Sequence, residues 1–305
     1  PDETVAKKAA AELGLNTWYL SYEQALENPA IDAYVVVSPT KYHMEIVKAI
    51  AAEKKHILCE KPMAMTMAEC DQMIQAAEKN NIKLQIGFMR RFDDSFRHAK
   101  EVIDSGEIGD VVMVRSNTRG PSVPRPWMYD IRKSNGPLAE VNSHDIDTMR
   151  WFTGSEFESL YAIGGNYRCP EAKKDFPDFY DNVVLNASFE NGAQGMLDGA
   201  QGVGYAYDAK VEILGTKGCI YLGNLRGDNV LVCRSETKSG TYPLVESWRG
   251  LFKEAYRNED ISFINSILND VQPEVTGYDG KMAVKVVNAG NTSIIEKRIV
   301  KLQEE

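Results

Sequence analysis

HILCEKPMA, residues 56–64, runs three apolar side chains, Ile57, Leu58 and Cys59, directly into Glu60, Lys61 and Pro62. A strand end is a fixed place to hold a charge, because the sheet sets the backbone while the side chain projects into the crevice beyond it. Taken alone, Glu-Lys-Pro reads as a solvated turn, so the neighbours decide. Upstream, Ala33 to Val37 is an unbroken apolar run rich in β-branched residues and bounded by Ser38-Pro39, the pattern of a parallel strand buried on both faces. Between the two runs, Ile46, Val47 and Ile50 fall at helical spacing behind a Thr40 cap. A helix from Thr66 to Asn80 and a strand from Leu84 to Phe88 follow. Before them come a helix over 2–13 closed by Gly14, a short strand at 18–20 and a helix from Tyr22 that ends near Asn28-Pro29. Strands alternating with helices of this length give βαβ units and a doubly wound parallel sheet, whose functional crevice lies beyond the carboxyl ends of the strands. Both SPTKYH (38–43) and EKPMA (60–64) sit at such ends.

After about residue 107 the rhythm changes. Val111–Arg115, Val183–Phe189, Ala193–Leu197, Lys210–Leu214, Gly218–Leu222 and Val230–Cys233 read as strands joined by turns such as Glu190-Asn191-Gly192. Helices are predicted over 137–153, 251–269 and 281–297. The fold class is therefore α/β: a Rossmann-type parallel sheet in residues 1–92, followed by an α+β domain with a large, mostly antiparallel open sheet in residues 93–305. A nucleotide-binding sheet ordinarily starts with a strand, GxGxxG and a helix. This chain has no such motif, and the expectation is that an N-terminal strand-helix-strand is not included.

Composition narrows the function. The 305 residues are 43% hydrophobic and 26% charged, as in a soluble globular protein. Against 35 basic residues stand 44 acidic ones, a net charge of −9 with no basic run, which argues against a nucleic-acid or anionic-membrane partner. Five cysteines, at 59, 70, 169, 219 and 233, are odd in number and lack a CxxC pair, so neither a disulfide framework nor a zinc site is suggested and a reducing cytoplasm is the simplest location. No apolar run reaches the roughly 20 residues of a membrane span.

The ordered set of motifs resembles the Gfo/Idh/MocA oxidoreductases, the glucose-fructose oxidoreductase and inositol dehydrogenase group. It comprises Ile31-Asp32-Ala33, Ser38-Pro39-Thr40-Lys41-Tyr42-His43, Glu60-Lys61-Pro62, Gly87-Phe88-Met89-Arg90-Arg91-Phe92, Gly106-Glu107-Ile108-Gly109 and His144-Asp145-Ile146-Asp147 with Trp151. The resemblance implies NAD or NADP as cofactor and a sugar, sugar derivative or cyclic polyol as substrate. It implies a homodimer or homotetramer formed through the antiparallel sheet, and Lys61 aimed between nicotinamide and substrate by Pro62. It also implies a cofactor site of Ser38, Pro39, Thr40, His43, Glu60, Lys61, Pro62 and Arg90. The chemistry agrees, because oxidising a secondary alcohol calls for a cation near the oxygen and a base for its proton, roles that suit Lys61 and His144. With Pro137 at a helix start, Glu140 and His144 fall at i and i+4 on one helix face. Where Glu140 stands the family pattern has Asp, and where Asn142 stands it often has Gly, which puts the substrate rather than the reaction in question. Arg119, Arg125, Trp127, Tyr129 and Lys133 form a polar-aromatic cluster suited to a sugar, or to plain loop packing; Asn142 and Asp145 join Arg119, Trp127 and Tyr129 as candidate substrate residues. Glu-x-x-x-His is not HExxH, and no metal is expected. Two other readings are an NAD-dependent glycosidase that oxidises its substrate transiently and a non-catalytic cofactor-binding sensor. Without the GxGxxG turn, the chain as written is expected to bind nicotinamide cofactor poorly.

Overall fold

Three parallel strands, β1 (Ala33–Val36), β2 (His56–Glu60) and β3 (Leu84–Gly87), lie side by side in that order in the computed structural model, which describes residues 2–302. Around them lie α1 (Glu3–Glu12), α2 (Tyr22–Leu26), α3 (His43–Ala52) and α4 (Met67–Lys79). Local chemistry sets these boundaries. At the start of α4 the Thr66 hydroxyl accepts from the Glu69 N–H while the Glu69 carboxylate accepts from the Thr66 N–H, a capping box that satisfies two otherwise unpaired donors. Val47 and Ile50 of α3 and Cys70 and Met73 of α4 bury in the same core as Ile57 and Cys59 of β2. Two expectations need correction here. Residues 18–20 form no strand: the Leu20 N–H bonds the Gln24 side chain at 3.0 Å and Tyr19 Oη accepts from Asn28, so side chains take the place of a strand partner. Nor is β1 buried on both faces, because it is the edge strand among the described residues and Val35 is 57% exposed.

Helix α5 (Asp94–Asp104) leads into the second sheet, built from β4 (Val111–Gly120), β5 (Phe157–Gly165), β6 (Asn182–Phe189), β7 (Gln194–Gln201), β8 (Asp208–Gly215) and β9 (Cys219–Leu222). A separate hairpin, β10 (Val232–Arg234) with β11 (Ser239–Thr241), and the short edge strand β12 (Val300–Lys301) complete the set. The seven-stranded order is β12-β5-β6-β7-β4-β8-β9, and every neighbour is antiparallel except β4 and β7, which run parallel with Gly120 opposite Gln201. The sheet is thus mixed, and the one parallel pair brings two strand carboxyl ends together. Val183, Leu185 and Phe189 of β6 are buried while Val184 faces out, the period-2 pattern of a sheet covered on one side.

The covering helices are α6 (Ile131–Ser134), α7 (Gly136–Glu140), α8 (Ser143–Thr153), α9 (Trp248–Leu251), α10 (Lys253–Leu268) and α11 (Gly277–Glu296). In place of one helix over 137–153 there are two, broken at Val141-Asn142, where both N–H groups turn back to the Pro137 carbonyl. Two consecutive arginines after β3 join the two sheets through α8. Arg90, 1% exposed, donates to Asp145 at 2.9 Å and to Thr118 of β4 at 2.6 Å. Arg91 makes a two-pronged pair with Asp147 at 2.9 and 2.6 Å and reaches Asp279 of α11 at 3.0 Å. Planar guanidinium groups suit such buried forks.

Candidate active site

The carboxyl ends of β1 and β2, the loop after β4, the break between α7 and α8, and the end of β7 enclose one crevice of about 1520 Å³. That volume exceeds the usual few hundred to 1,000 Å³ of a single small-ligand pocket, so it has room for a cofactor end and a substrate together. On its first wall the loop after β1 is held from behind by His43. The buried imidazole bridges the strand ends, with Nε2 2.7 Å from the Ser38 carbonyl and Nδ1 3.0 Å from that of Pro62, and burial pushes its pKa down. Lys61, at the end of β2, donates to the Glu140 carbonyl at 2.7 Å, and Asn135 donates to the Met65 carbonyl at 2.7 Å. Those two bonds clamp the Glu-Lys-Pro loop to the α6–α7 segment across the crevice. Glu60 accepts from its neighbour's backbone N–H at 3.1 Å; burial raises its pKa while the Lys61 charge opposes the rise. Behind it, Glu259 of α10 is pushed up to about 9 by burial, then by Glu60 and Asp260, so it is a neutral acid at pH 7.

His144 lies in the first turn of α8 and is 6% exposed, its ring edge-on to Phe88 with centroids 6.0 Å apart. Its Nδ1 has no hydrogen-bond partner among the described residues. Burial, then the charges of Lys61 and Arg90, depress its pKa well below the ordinary imidazole value, which keeps the ring neutral and able to accept a proton. Burial raises the Glu140 pKa, with Lys61 again opposing. The start of α8 is held by Asp145, whose carboxylate takes Arg90, Ser116, Thr118 and Asn142. It can sit this close to β7 because residue 199 is glycine: a Cβ there would lie 2.1 Å from the Asn142 side chain.

The residues expected to bind ligands divide. Ser38, Pro39, Thr40, Glu60 and Lys61 line the crevice, as do Glu140, His144 and Trp127, with Arg125 and Lys133 of the polar-aromatic cluster. Glu140 and His144 share it across the helix break and not on one helix face. Several others do not line it. Arg90, Asn142 and Asp145 are buried beneath the crevice, bonded to one another and to β4. Pro62 is buried, and His43 works from behind the loops. Arg119 is held by a fork of bonds to Asp198 at 2.7 and 2.9 Å, and Tyr129 is buried with its hydroxyl on Glu171 and its ring against Phe179. Sequence reasoning missed Met89, Gln201, Tyr207, Trp248 and Tyr256, all of which line the crevice. The carboxyl-end rule flags Met89, just past β3; the other four come from distant segments that only the tertiary fold assembles.

A nicotinamide group fits the residues present. The Ser38 hydroxyl is buried at the crevice wall without a partner among the described residues, and an ammonium and a neutral imidazole share the space beyond the ends of two parallel strands. Parallel strand ends, a clamped lysine and a neutral buried histidine beside an open crevice define a nicotinamide-dependent alcohol oxidoreductase. Residues 1–88 match the family described as an oxidoreductase family with an NAD-binding Rossmann fold, and residues 96–221 match the GFO/IDH/MocA C-terminal domain. The chain belongs to the Gfo/Idh/MocA oxidoreductases. It is 35% identical over 96% of its length to the myo-inositol 2-dehydrogenase of Thermotoga maritima, of which it covers 86%. To the scyllo-inositol 2-dehydrogenase (NAD(+)) of Bacillus subtilis it is 30% identical, over 94% of this chain and 82% of that one. Among solved structures, scyllo-inositol dehydrogenase from Lactobacillus casei with bound NAD(H) and scyllo-inositol superimposes with a TM-score of 0.88 at 27% identity, covering 99% of this chain and 89% of that one. Among the described residues no side-chain cluster could hold a metal, and no helix is long and apolar enough to cross a membrane.

Proposed function

We propose that this protein oxidises one secondary hydroxyl of an inositol-like cyclic polyol to the ketone, with Lys61 and His144 as its catalytic residues. The observation that carries the reading is the meeting of Lys61, Glu140 and His144 on one crevice beyond β2. Bound NAD or NADP supplies the hydride acceptor. His144, neutral at working pH, takes the hydroxyl proton as the carbon loses its hydride, and later releases it to solvent. The Lys61 ammonium stabilises the negative charge that builds on the oxygen. Glu140 accepts a hydrogen bond from a neighbouring hydroxyl; its extra methylene relative to the family's Asp shifts which hydroxyl that is. Ser38, Pro39, Thr40 and Glu60 line the cofactor side, and Trp127 gives a ring face to the polyol. The division of labour at residues 92/93 and a cytoplasmic location belong to the same reading. The glycosidase and sensor readings are not favoured: the relatives are named as dehydrogenases, and both Lys61 and His144 are present and face the crevice. Nicotinamide absorbance followed at saturating NAD against a panel of inositols, aldoses and glycosides tests this. Reduction of NAD with inositols is expected; sugar release from a glycoside at constant absorbance, or inertness towards the whole panel, overturns it.

We infer self-association through the outer face of the seven-stranded sheet, which exposes Tyr161, Ile163, Val184, Leu214 and Tyr221 among polar side chains such as Arg115, Asn117 and Asp198. Light scattering at micromolar concentration is expected to give a dimer or tetramer that Val184→Glu weakens. A monomeric parent protein rules it out.

A further inference from the structure

We infer that Gln201 reads a hydroxyl of the polyol other than the one oxidised, and is a specificity-determining residue of this site. The inference rests on the polyol reading above. Gln201 ends β7 in the second sheet and lines the same crevice as Lys61 and His144. Its backbone is fixed on both sides: its N–H donates to the Asp181 carbonyl at 2.9 Å, and the next residue's N–H donates to the Ser122 carbonyl at 3.0 Å. The side chain, only 6% exposed, makes no hydrogen bond with any described residue. Its Oε1 is closed off without a partner, which leaves Nε2 as the atom open to the crevice. A carboxamide oxygen buried without a partner costs the folded protein stability, because it loses water and gains nothing.

A ligand hydroxyl supplies what is missing. The amide N–H donates to the hydroxyl oxygen, and a rotation of the amide presents its oxygen to the hydroxyl hydrogen. A cyclic polyol carries a donor and an acceptor at every ring carbon, so with one hydroxyl between Lys61 and His144, another on the ring can meet Gln201. An apolar or singly hydroxylated alcohol cannot satisfy both ends, and a site built to pair a hydroxyl discriminates strongly against an analogue that lacks it.

Gln201→Met keeps the length of the side chain and removes the polar end. In holoenzyme, the KM for the best inositol is expected to rise about 10- to 100-fold with kcat changed only a few-fold, the pattern of lost uniform binding. The Kd of the same inositol for the NADH-loaded protein, read from nicotinamide fluorescence, should rise in parallel. Among monodeoxy-inositols that keep the oxidised hydroxyl and the one met by Glu140, the parent enzyme should reject one much more strongly than the others, and that discrimination should collapse in Gln201→Met. Gln201→Ala, which frees space and adds no bulk, must lose the same discrimination and carries the decision should the methionine variant not fold. Unchanged KM, Kd and deoxy discrimination overturn the inference, as does an effect confined to the KM for NAD, which would assign the amide to the cofactor. A parent enzyme inert towards every inositol is a different result and sinks the polyol reading itself.

Discussion

Lys61→Met is expected to lower kcat/KM by about 10³ or more while leaving the protein folded. One preorganised donor to a developing oxyanion is worth about 10² to 10³ in turnover, and Lys61 brings a full charge to that position. Methionine preserves most of the stem and removes the ammonium. The structural cost is small, because among the described residues the ammonium has one hydrogen-bond partner, the Glu140 carbonyl at 2.7 Å. Losing that bond costs about 1 to 3 kcal/mol, too little to unfold a chain of this size. Cofactor affinity should fall together with turnover, since the proposed function sets the same ammonium beside the nicotinamide. Lys61→Arg is not expected to rescue the enzyme: a planar guanidinium cannot present a compact charge at the same point. Steady-state kinetics with a cofactor titration and a thermal melt check this together. A methionine variant within tenfold of the parent removes Lys61 from the chemistry.

Strand ends were legible because their signal is local. Ile57-Leu58-Cys59 before Glu60-Lys61 marks both the buried strand and the residue it projects, and α4 declares its own start through Thr66 and Glu69. The partner of a strand is not a local property. The parallel pairing of β4 with β7 joins segments some eighty residues apart, and β5, whose sequence ends in Ile163-Gly164-Gly165, carries too little β propensity at that end to announce itself. Arginine pointing into a buried site is likewise a tertiary matter. In sequence, Arg90 beside Phe88 and Met89 looks like a crevice residue; in the fold it is buried and its charge is taken by Asp145, so it holds the start of α8 from beneath. The break at Val141-Asn142 depends on Gly199, nearly sixty residues away, having no side chain to push Asn142 aside. No helical periodicity contains that information.

The same break decides what His144 can do, and His144→Gln is expected to lower turnover by about 10² to 10⁴, the usual size of a lost general base, with cofactor affinity nearly kept. Glutamine fills similar space beside Phe88, so the loss reports chemistry rather than a cavity. In the parent enzyme the acidic limb of kcat/KM against pH should fall below the ordinary imidazole range, because burial, then Lys61 and Arg90, hold the His144 pKa well under 6.5. Turnover therefore stays level from neutrality down past pH 6.5, and the limb vanishes in His144→Gln. Stability supplies an independent check. Well above 6.5 the imidazole is neutral in folded and unfolded chains alike and contributes no pH dependence. As pH falls from there towards the depressed folded value, the unfolded chain takes up a proton that the folded one refuses, so folding loses stability in that window. His43 and His56 are depressed in the same direction, mainly by burial, so the decline should become shallower in His144→Gln without disappearing. Denaturant midpoints measured between pH 7.5 and 4.5 on both proteins read this directly. A variant with near-parent turnover, an intact acidic limb and an unchanged stability slope assigns the proton to another group, and Glu140, the other titratable side chain at the α7–α8 break, becomes the one to replace.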